Sequence, residues 1–167
     1  WMRILKAVEG SVLWLLQANP WVVENLRQQA MECGVDGARL VFAQRMPLPE
    51  HLARHRCADL FLDTLPYNAH TTASDALWTG LPVVTCSGNS FASRVAGSVL
   101  RTAGLAELVT DNLEAFEAKA LQLARSPDTL AAIRQGLLEG RAANTLFDST
   151  RYTRQLESAF LQMLAPP

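Results

Sequence analysis

Short apolar runs alternate with segments of helical periodicity along the first 110 residues of the chain. The apolar runs are nearly continuous, as in Val-Leu-Trp-Leu-Leu, which is typical of strands buried in a parallel sheet. The intervening segments carry helix signals, such as Pro20 near a predicted start and Gly34 at a predicted stop. The pattern predicts strands over residues 11–17, 39–43, 59–62, 81–85 and 107–110, and helices over residues 1–8, 20–33, 49–57, 71–79 and 91–102.

Beyond residue 110 the pattern becomes helical. Asp111 and Glu114 form a capping-box-like pair that predicts a helix to about residue 125, and Pro127 starts another that ends at about residue 140. A last helix over residues 148–164 carries an apolar stripe at i, i+4 spacing, which predicts packing into the core. The stripe consists of Tyr152, Leu156, Phe160 and Leu164. The chain is thus predicted to be one domain, alternating β/α over residues 1–110 and helical over residues 111–167.

Alternating strands and helices predict an α/β fold with a parallel sheet, right-handed crossovers and helices on both faces. Such sheets bind ligands at the carboxyl ends of their strands. The loops that follow the predicted strands at 39–43, 59–62 and 81–85 open onto one such edge. We therefore expect a binding site in these loops.

The composition is that of an ordinary soluble globular protein: of 167 residues, 49% are apolar and 19% are charged, and the net charge is -1. No basic face is visible, so nucleic acid is not an expected partner. The sequence has no apolar run of about 18 residues or more, so a membrane span is not expected. The basic residues are almost all arginine, which we interpret as bacterial genome bias. The expected compartment is the cytoplasm, and also the nucleus if the protein is eukaryotic.

Cys33, Cys57 and Cys86 are widely spaced and form no CxxC motif, so neither a zinc site nor a disulfide framework is expected. Each is expected to be a small buried apolar residue in a reducing compartment. A helical pattern is already in progress at Trp1, so we expect the sequence to be a fragment of a longer protein.

The segment Pro-Tyr-Asn-Ala-His-Thr-Thr-Ala-Ser-Asp, residues 66–75, carries the strongest chemical signal. A loop that enters a helix through His70, Thr71 and Thr72 offers free N–H groups, two hydroxyls and an imidazole, a combination that favours a phosphate. Asp75 lies about one turn deeper and can accept two hydrogen bonds from a sugar diol. This order predicts a bound nucleotide. Taken singly, these residues have simpler interpretations: a threonine cap, a loop histidine bonded to backbone, or an aspartate that complements the helix dipole.

Three blocks of the sequence form a recognisable set. They run from Val41 through Pro47 to His51, from Leu62 through the His70-Thr71-Thr72 triplet to Asp75, and from Pro82 through Ser93 and Arg94 to Ala96. Together they resemble the protein O-GlcNAc transferase family, which also includes the plant Spindly-type O-fucosyltransferases. The resemblance covers nearly the whole chain and is specific in the second block. It implies the carboxyl-terminal lobe of a GT-B glycosyltransferase, in which two Rossmann-like lobes face each other across a cleft.

The resemblance implies an enzyme that transfers N-acetylglucosamine from UDP-GlcNAc to serine or threonine hydroxyls of proteins, with inversion and without a metal or other cofactor. This chain would supply the lobe that binds the nucleotide sugar. The partners would be the protein acceptors and, within the same protein, an amino-terminal lobe and tetratricopeptide repeats, which are absent from this chain. Because the cleft needs both lobes, we expect the chain to be inactive alone.

The resemblance also assigns roles to residues of the second block. Thr71 and Thr72 would hold the diphosphate with support from His70, and Asp75 would hold the ribose hydroxyls. Tyr67 would lie near the sugar. Human-type enzymes carry a cysteine at that position, so the sugar pocket is a point of departure from the family pattern.

The uracil side of the site is implied to come from the first block. Backbone groups of Met46 and Pro47 would meet the uracil edge, and His51 would pack on the base with Arg54 nearby. Leu48 stands where animal enzymes carry a lysine that grips the ribose, which implies weaker nucleotide binding or compensation elsewhere. Without the family context, His51 would be interpreted as an exposed helix histidine. No general base is evident.

Two other functions stay open on the sequence alone. The donor could be GDP-fucose or UDP-glucose, although His70, which Spindly-type proteins replace, favours UDP-GlcNAc. The lobe could also be a non-catalytic nucleotide-binding or interaction module, because a fold does not define a function. The intact Thr71, Thr72 and Asp75 argue against such a module.

Overall fold

A computed structural model describes residues 1–164 of the chain. The strands are β1 (Leu13–Leu16), β2 (Leu40–Ala43), β3 (Phe61–Leu62), β4 (Val83–Cys86) and β5 (Val109–Thr110). The α-helices are α1 (Met2–Ala7), α2 (Pro20–Glu32), α3 (Leu48–Arg54), α4 (Thr71–Trp78), α5 (Val95–Thr102), α6 (Leu113–Ala124), α7 (Pro127–Gly140) and α8 (Ser149–Leu164). Strands and helices alternate up to β5 and the described chain is helical after it, so the predicted order of elements is confirmed.

All the described strands pair in parallel. β1 pairs with β2, with Leu13 opposite Leu40, and β4 lies between β3 and β5, with Val84 opposite Leu62. The predicted α/β fold with parallel strands and flanking helices is confirmed. The strands divide into a two-stranded and a three-stranded sheet, because no strand within residues 1–164 is hydrogen-bonded to both β1 and β3.

β4 is the centre of the larger core. Its four residues are at most 4% exposed, because strands cover both of its edges and α5 and α6 pack on it. Leu77 of α4 and Leu100 of α5 are fully buried in the same cluster, and a smaller cluster surrounds Leu40 of β2. Helix α1 joins the two clusters, since Ile4 packs into the first and Leu5 into the second.

Helix α6 begins at Leu113, one residue later than a cap at Asp111 would place its start. Asn112 occupies the N-cap position, and its side chain accepts the N–H of Ala115 at 2.8 Å. The prediction that Asp111 caps this helix is therefore wrong. Asparagine is an equally good cap, so the two adjacent residues compete for the position and the sequence does not decide between them.

A tight turn delays the start of α5. The sequence predicted a helix from residue 91, whereas α5 begins at Val95. The Oγ of Ser93 accepts the backbone N–H of Ser90 at 3.0 Å, and the two hydroxyl oxygens lie 2.9 Å apart. Gly88 passes so close to this turn that a Cβ there would lie 2.6 Å from the Oγ of Ser93. The turn therefore requires glycine at this position.

The apolar stripe of α8 does not pack into the core of the described residues. Tyr152, Leu156, Phe160 and Leu164 are 65%, 40%, 52% and 81% exposed. The prediction of core packing is wrong here, because helical periodicity reveals an apolar face but not the surface that covers it. Residues 165–167, which the predicted helical part included, lie outside the described residues.

The three cysteines differ in environment. Cys86 is buried in β4, as expected, but Cys33 and Cys57 are exposed, so the expectation of burial is wrong for these two. Cys33 follows the last turn of α2, and Cys57 ends a short 3-10 helix after α3. None of the helices within residues 1–164 is both long enough and apolar enough to cross a bilayer.

Candidate functional site

Asp63 organises the loop that leaves β3. Its side chain is only 5% exposed. One carboxylate oxygen accepts the backbone N–H groups of Thr64 at 2.8 Å and Ala69 at 2.7 Å, and the other accepts the hydroxyl of Thr85 at 2.6 Å. Because Ala69 directly precedes His70, this carboxylate fixes the chain where α4 is about to begin.

Asn68 ties the same loop to the segment that follows β4. Its buried side chain donates from Nδ2 to the carbonyls of Thr64 at 2.7 Å and Cys86 at 3.3 Å. Its backbone N–H donates to the carbonyl of Ala92 at 3.1 Å. Within residues 1–164, its Oδ1 is a buried polar atom without a hydrogen-bond partner. The loops after β3 and β4 therefore form one connected unit at the carboxyl edge of the sheet.

Helix α4 begins at Thr71, where the sequence predicted it. His70 is the N-cap residue, and within the described residues its side chain makes no capping hydrogen bond. Its carbonyl accepts the N–H groups of Ala73 and Ser74 at 3.1 and 3.3 Å. Thr71 and Thr72 are the first two helical residues and both are exposed, so neither threonine is the cap. Their N–H groups have no acceptor inside the helix, and the positive end of the helix dipole lies beside them.

Two aromatic rings flank the imidazole of His70. The ring of Tyr67 stacks on it with centroids 4.9 Å apart and an interplanar angle of 16°, and the ring of Phe91 meets it edge-on at 6.3 Å. The Nε2 of His70 lies 3.4 Å from the carbonyl oxygen of Ala92. Tyr67 is 64% exposed and Phe91 is 76% exposed, so both rings also face solvent. Phe91 was not among the predicted site residues, because the sequence pattern predicted that it begins a helix.

Arg54 and His51 on α3 form the second part of the site. The Nε of Arg54 donates to Nδ1 of His51 at 3.0 Å, and its Nη1 donates to the carbonyl of Gln44 at 2.8 Å. The guanidinium carbon also lies 5.7 Å from the centre of a Trp14 ring, where a cation–π attraction operates. Arg54 thereby fastens the segment between β2 and α3, which carries the exposed Met46. Because His51 accepts at Nδ1, its proton resides on Nε2.

His55 connects α3 to α4. Its Nδ1 lies 3.2 Å from the hydroxyl oxygen of Thr79, and its ring meets that of His51 edge-on at 4.7 Å. Burial lowers the pKa of His55 below its ordinary value of 6.5, and the nearby His51 lowers it further, while the negative charge of Asp75 opposes this change. His55 therefore contacts α3 and α4 and lies within electrostatic reach of Asp75.

The predicted site residues thus fall into two neighbouring groups. One follows β3 and consists of Tyr67, His70, Thr71, Thr72 and Asp75. The other follows β2 and consists of Met46, His51 and Arg54. The contact between His55 and Thr79 joins the groups. The ligand-binding roles of these residues stay predictions.

Parallel strands whose polar loops gather at their carboxyl ends define a Rossmann-like α/β unit, with its candidate site at the edge where such folds bind ligands. Residues 1–156 match the family described as glycosyl transferase family 41. The chain belongs to this family of glycosyltransferases.

Two relatives and one solved structure show the extent of the similarity. The chain is 39% identical to a Caenorhabditis elegans UDP-N-acetylglucosamine–peptide N-acetylglucosaminyltransferase, with 98% of this chain and 14% of the relative covered. It is 36% identical to the probable Arabidopsis thaliana enzyme SEC, described by the same activity, with 98% and 17% covered. A solved mutant O-GlcNAc transferase of Thermobaculum terrenum is 37% identical and superposes with a TM-score of 0.92, with 98% of this chain and 32% of that chain covered. The chain is therefore similar to one part of each of these longer proteins.

Proposed function

We propose that this chain is the donor-binding lobe of a protein O-GlcNAc transferase. It would bind UDP-GlcNAc during inverting, metal-independent transfer of N-acetylglucosamine to serine or threonine hydroxyls of proteins. The observation that carries the proposal is the start of α4, where exposed Thr71 and Thr72 follow the N-cap residue His70. Within the described residues, the side chain of His70 makes no capping hydrogen bond. The activities named for the nematode and Arabidopsis relatives support the same donor.

The diphosphate would lie against the first turn of α4. Departing UDP gains negative charge as the bond between sugar and phosphate breaks. The N–H groups and hydroxyls of Thr71 and Thr72 can donate to that charge, and the helix dipole adds to the attraction. A hydrogen bond to a charged group contributes roughly 1.5–3 kcal/mol. Because these donors are in place before the reaction, they would stabilise the charge that develops in the transition state.

The nucleoside would lie across α4 and α3. Asp75, about one turn into α4, is half-buried and can accept hydrogen bonds from both ribose hydroxyls. His51 would pack on the base, and backbone groups of the exposed residues Met46 and Pro47 would meet its edge. Arg54 supports this arrangement, because it orients His51 and fastens the segment that carries Met46.

The sugar would lie beside Tyr67, whose ring stacks on His70 at 4.9 Å. An exposed tyrosine in this place limits the space at the sugar end of the site. The chain covers 32% of the solved Thermobaculum terrenum transferase. We therefore assign the general base, the acceptor site, the amino-terminal lobe and the tetratricopeptide repeats to other parts of the full-length protein.

Calorimetric titration of the full-length protein with UDP, UDP-GlcNAc and GDP-fucose tests the proposal. We expect the uridine ligands to bind more tightly than GDP-fucose. Asp75→Ala should weaken UDP binding by about tenfold or more, because two ribose hydrogen bonds are lost. Asp128→Ala removes an exposed carboxylate of α7 and is the matched control, with unchanged affinity expected. Tighter binding of GDP-fucose would transfer the proposal to a fucosyl donor, and failure of all three nucleotides to bind would favour an interaction module.

A further inference from the structure

The carboxylate of Asp63 is buried, and within residues 1–164 none of its hydrogen-bond donors is a basic side chain. Its three donors are two backbone N–H groups and one hydroxyl. Burying a carboxylate is costly unless hydrogen bonds compensate for the lost water, and these three contacts supply that compensation. A buried carboxylate of this kind shapes the backbone that surrounds it.

The hydrogen bond from Ala69 closes the loop. It spans six residues, from the end of β3 to the residue before His70, at 2.7 Å. The N–H of Thr64 donates to the same oxygen at 2.8 Å, so both ends of the loop meet at one atom. The position of the first turn of α4 relative to β3 therefore depends on this carboxylate.

The second carboxylate oxygen attaches the loop to the middle of the sheet. It accepts the hydroxyl of Thr85, a fully buried residue of β4, at 2.6 Å. The carbonyl of Thr85 in turn accepts the hydroxyl of Thr110 on β5 at 3.0 Å. The chain of contacts from Asp63 through Thr85 to Thr110 runs from the end of β3 across β4, whose residues are at most 4% exposed, to β5. Hydrogen bonds of Asp63 thus connect the start of α4 to the core of the sheet.

We propose that Asp63 is a positioning residue for the donor diphosphate: it touches no ligand, and it sets Thr71 and Thr72 where they can donate to both phosphates. This inference rests on the proposed function. Asp63 would act mainly on the phosphate part of the donor. The proposed uracil contacts come from α3 and the segment before it, and the proposed ribose contact, Asp75, lies about one turn further along α4. The geometry of the carboxylate, rather than its charge, would be the property that matters, since a negative charge by itself repels a phosphate.

Affinities of the full-length protein for uridine and for UDP, measured by calorimetry, test this inference. Their ratio isolates the contribution of the diphosphate. Asp63→Ala and Asp63→Glu should reduce the preference for UDP over uridine by about tenfold or more. Uridine affinity should fall by less than about threefold, because uridine would meet α4 only through Asp75. Asp63→Asn keeps an oxygen at the position of Oδ1 and should retain the preference within about threefold.

The outcomes separate three explanations. An equal loss of uridine and UDP affinity in Asp63→Ala would show a general structural role and overturn the inference. An equal loss of preference in Asp63→Asn and Asp63→Ala would assign the effect to charge and also overturn it. A wild-type protein without preference for UDP over uridine would overturn the proposed phosphate site itself. If the alanine and glutamate variants do not fold, Thr85→Val takes their place, because it removes the hydrogen bond between Asp63 and β4. This variant should lower the preference for UDP over uridine several-fold. An unchanged preference would overturn the inference.

Discussion

The Nε of Arg54 donates to Nδ1 of His51, three residues earlier on α3, at 3.0 Å. This contact fixes the proton of His51 on Nε2 and orients its ring. The same guanidinium donates to the carbonyl of Gln44 at 2.8 Å. One side chain therefore holds both the histidine proposed to meet the base and the segment proposed to meet its edge.

Arg54→Met should weaken UDP binding by about three- to tenfold, because two hydrogen bonds that organise the uracil side are lost. The measurement is calorimetric titration with UDP. Arg56→Met, two residues later, removes an exposed arginine with the same change in charge and should alter the affinity by less than about twofold. Equal effects of the two substitutions would contradict a specific role for Arg54.

Gly88→Ala should destabilise the domain by about 1–3 kcal/mol, because the new Cβ would overlap the Oγ of Ser93. Gly136 offers a matched comparison, since a Cβ there meets no atom of the described residues within 4 Å. Gly136→Ala lies inside α7 and should stabilise the domain by about 0.5–1 kcal/mol. Urea unfolding measures both changes, and a neutral Gly88→Ala would show that the turn relaxes without cost.

His55 should make the stability of the domain depend on pH. Its pKa in the folded state lies below 6.5, chiefly because of burial and secondly because of His51. Below about pH 6.5 the unfolded chain therefore binds a proton that the folded chain binds less readily, so stability rises with pH up to that value and then levels off. His55→Gln cannot titrate and should flatten this rise in a series of unfolding midpoints between about pH 5 and 7. Identical slopes for wild type and variant would exclude His55 as the source.

Truncating a side chain in the core should destabilise the chain far more than truncating one in the exposed apolar stripe of α8. Leu77 is fully buried, and Leu77→Ala should cost about 2–5 kcal/mol of unfolding free energy. Tyr152 is 65% exposed, and Tyr152→Ser should change the stability of the 167-residue chain by less than about 0.5 kcal/mol. Urea unfolding of the isolated chain measures both values. A large effect of Tyr152→Ser would show that the apolar stripe of α8 packs into the core.

The order of strands and helices could be predicted because each element depends on the local pattern of apolar and polar residues. Continuous apolar runs mark the buried strands, and the start of α4 at Thr71 follows from the change of period after the loop. The start of α5 could not be predicted in the same way. It depends on side-chain hydrogen bonds between Ser90 and Ser93, which compete with the helix over a few residues.

The sequence suggests candidate residues for the site, but it does not reveal how their side chains contact one another. The motif of His70, Thr71 and Thr72 is visible in the sequence. The stacking of Tyr67 on His70 depends on how the loop is closed by Asp63, and that closure involves Thr85, far along the chain. The exposure of α8 likewise depends on which surfaces lie opposite it, and periodicity carries no information on that.

The division into two sheets has a mechanical consequence for ligand binding. The uracil side of the proposed site is carried by the sheet of β1 and β2, and the phosphate side by the sheet of β3, β4 and β5. Within residues 1–164, no strand of one sheet is hydrogen-bonded to a strand of the other, so a nucleotide that contacts both sides would act as a cross-link between them. The affinity of the nucleotide would then depend on how firmly α1 and the contact between His55 and Thr79 hold the two sheets in their relative positions.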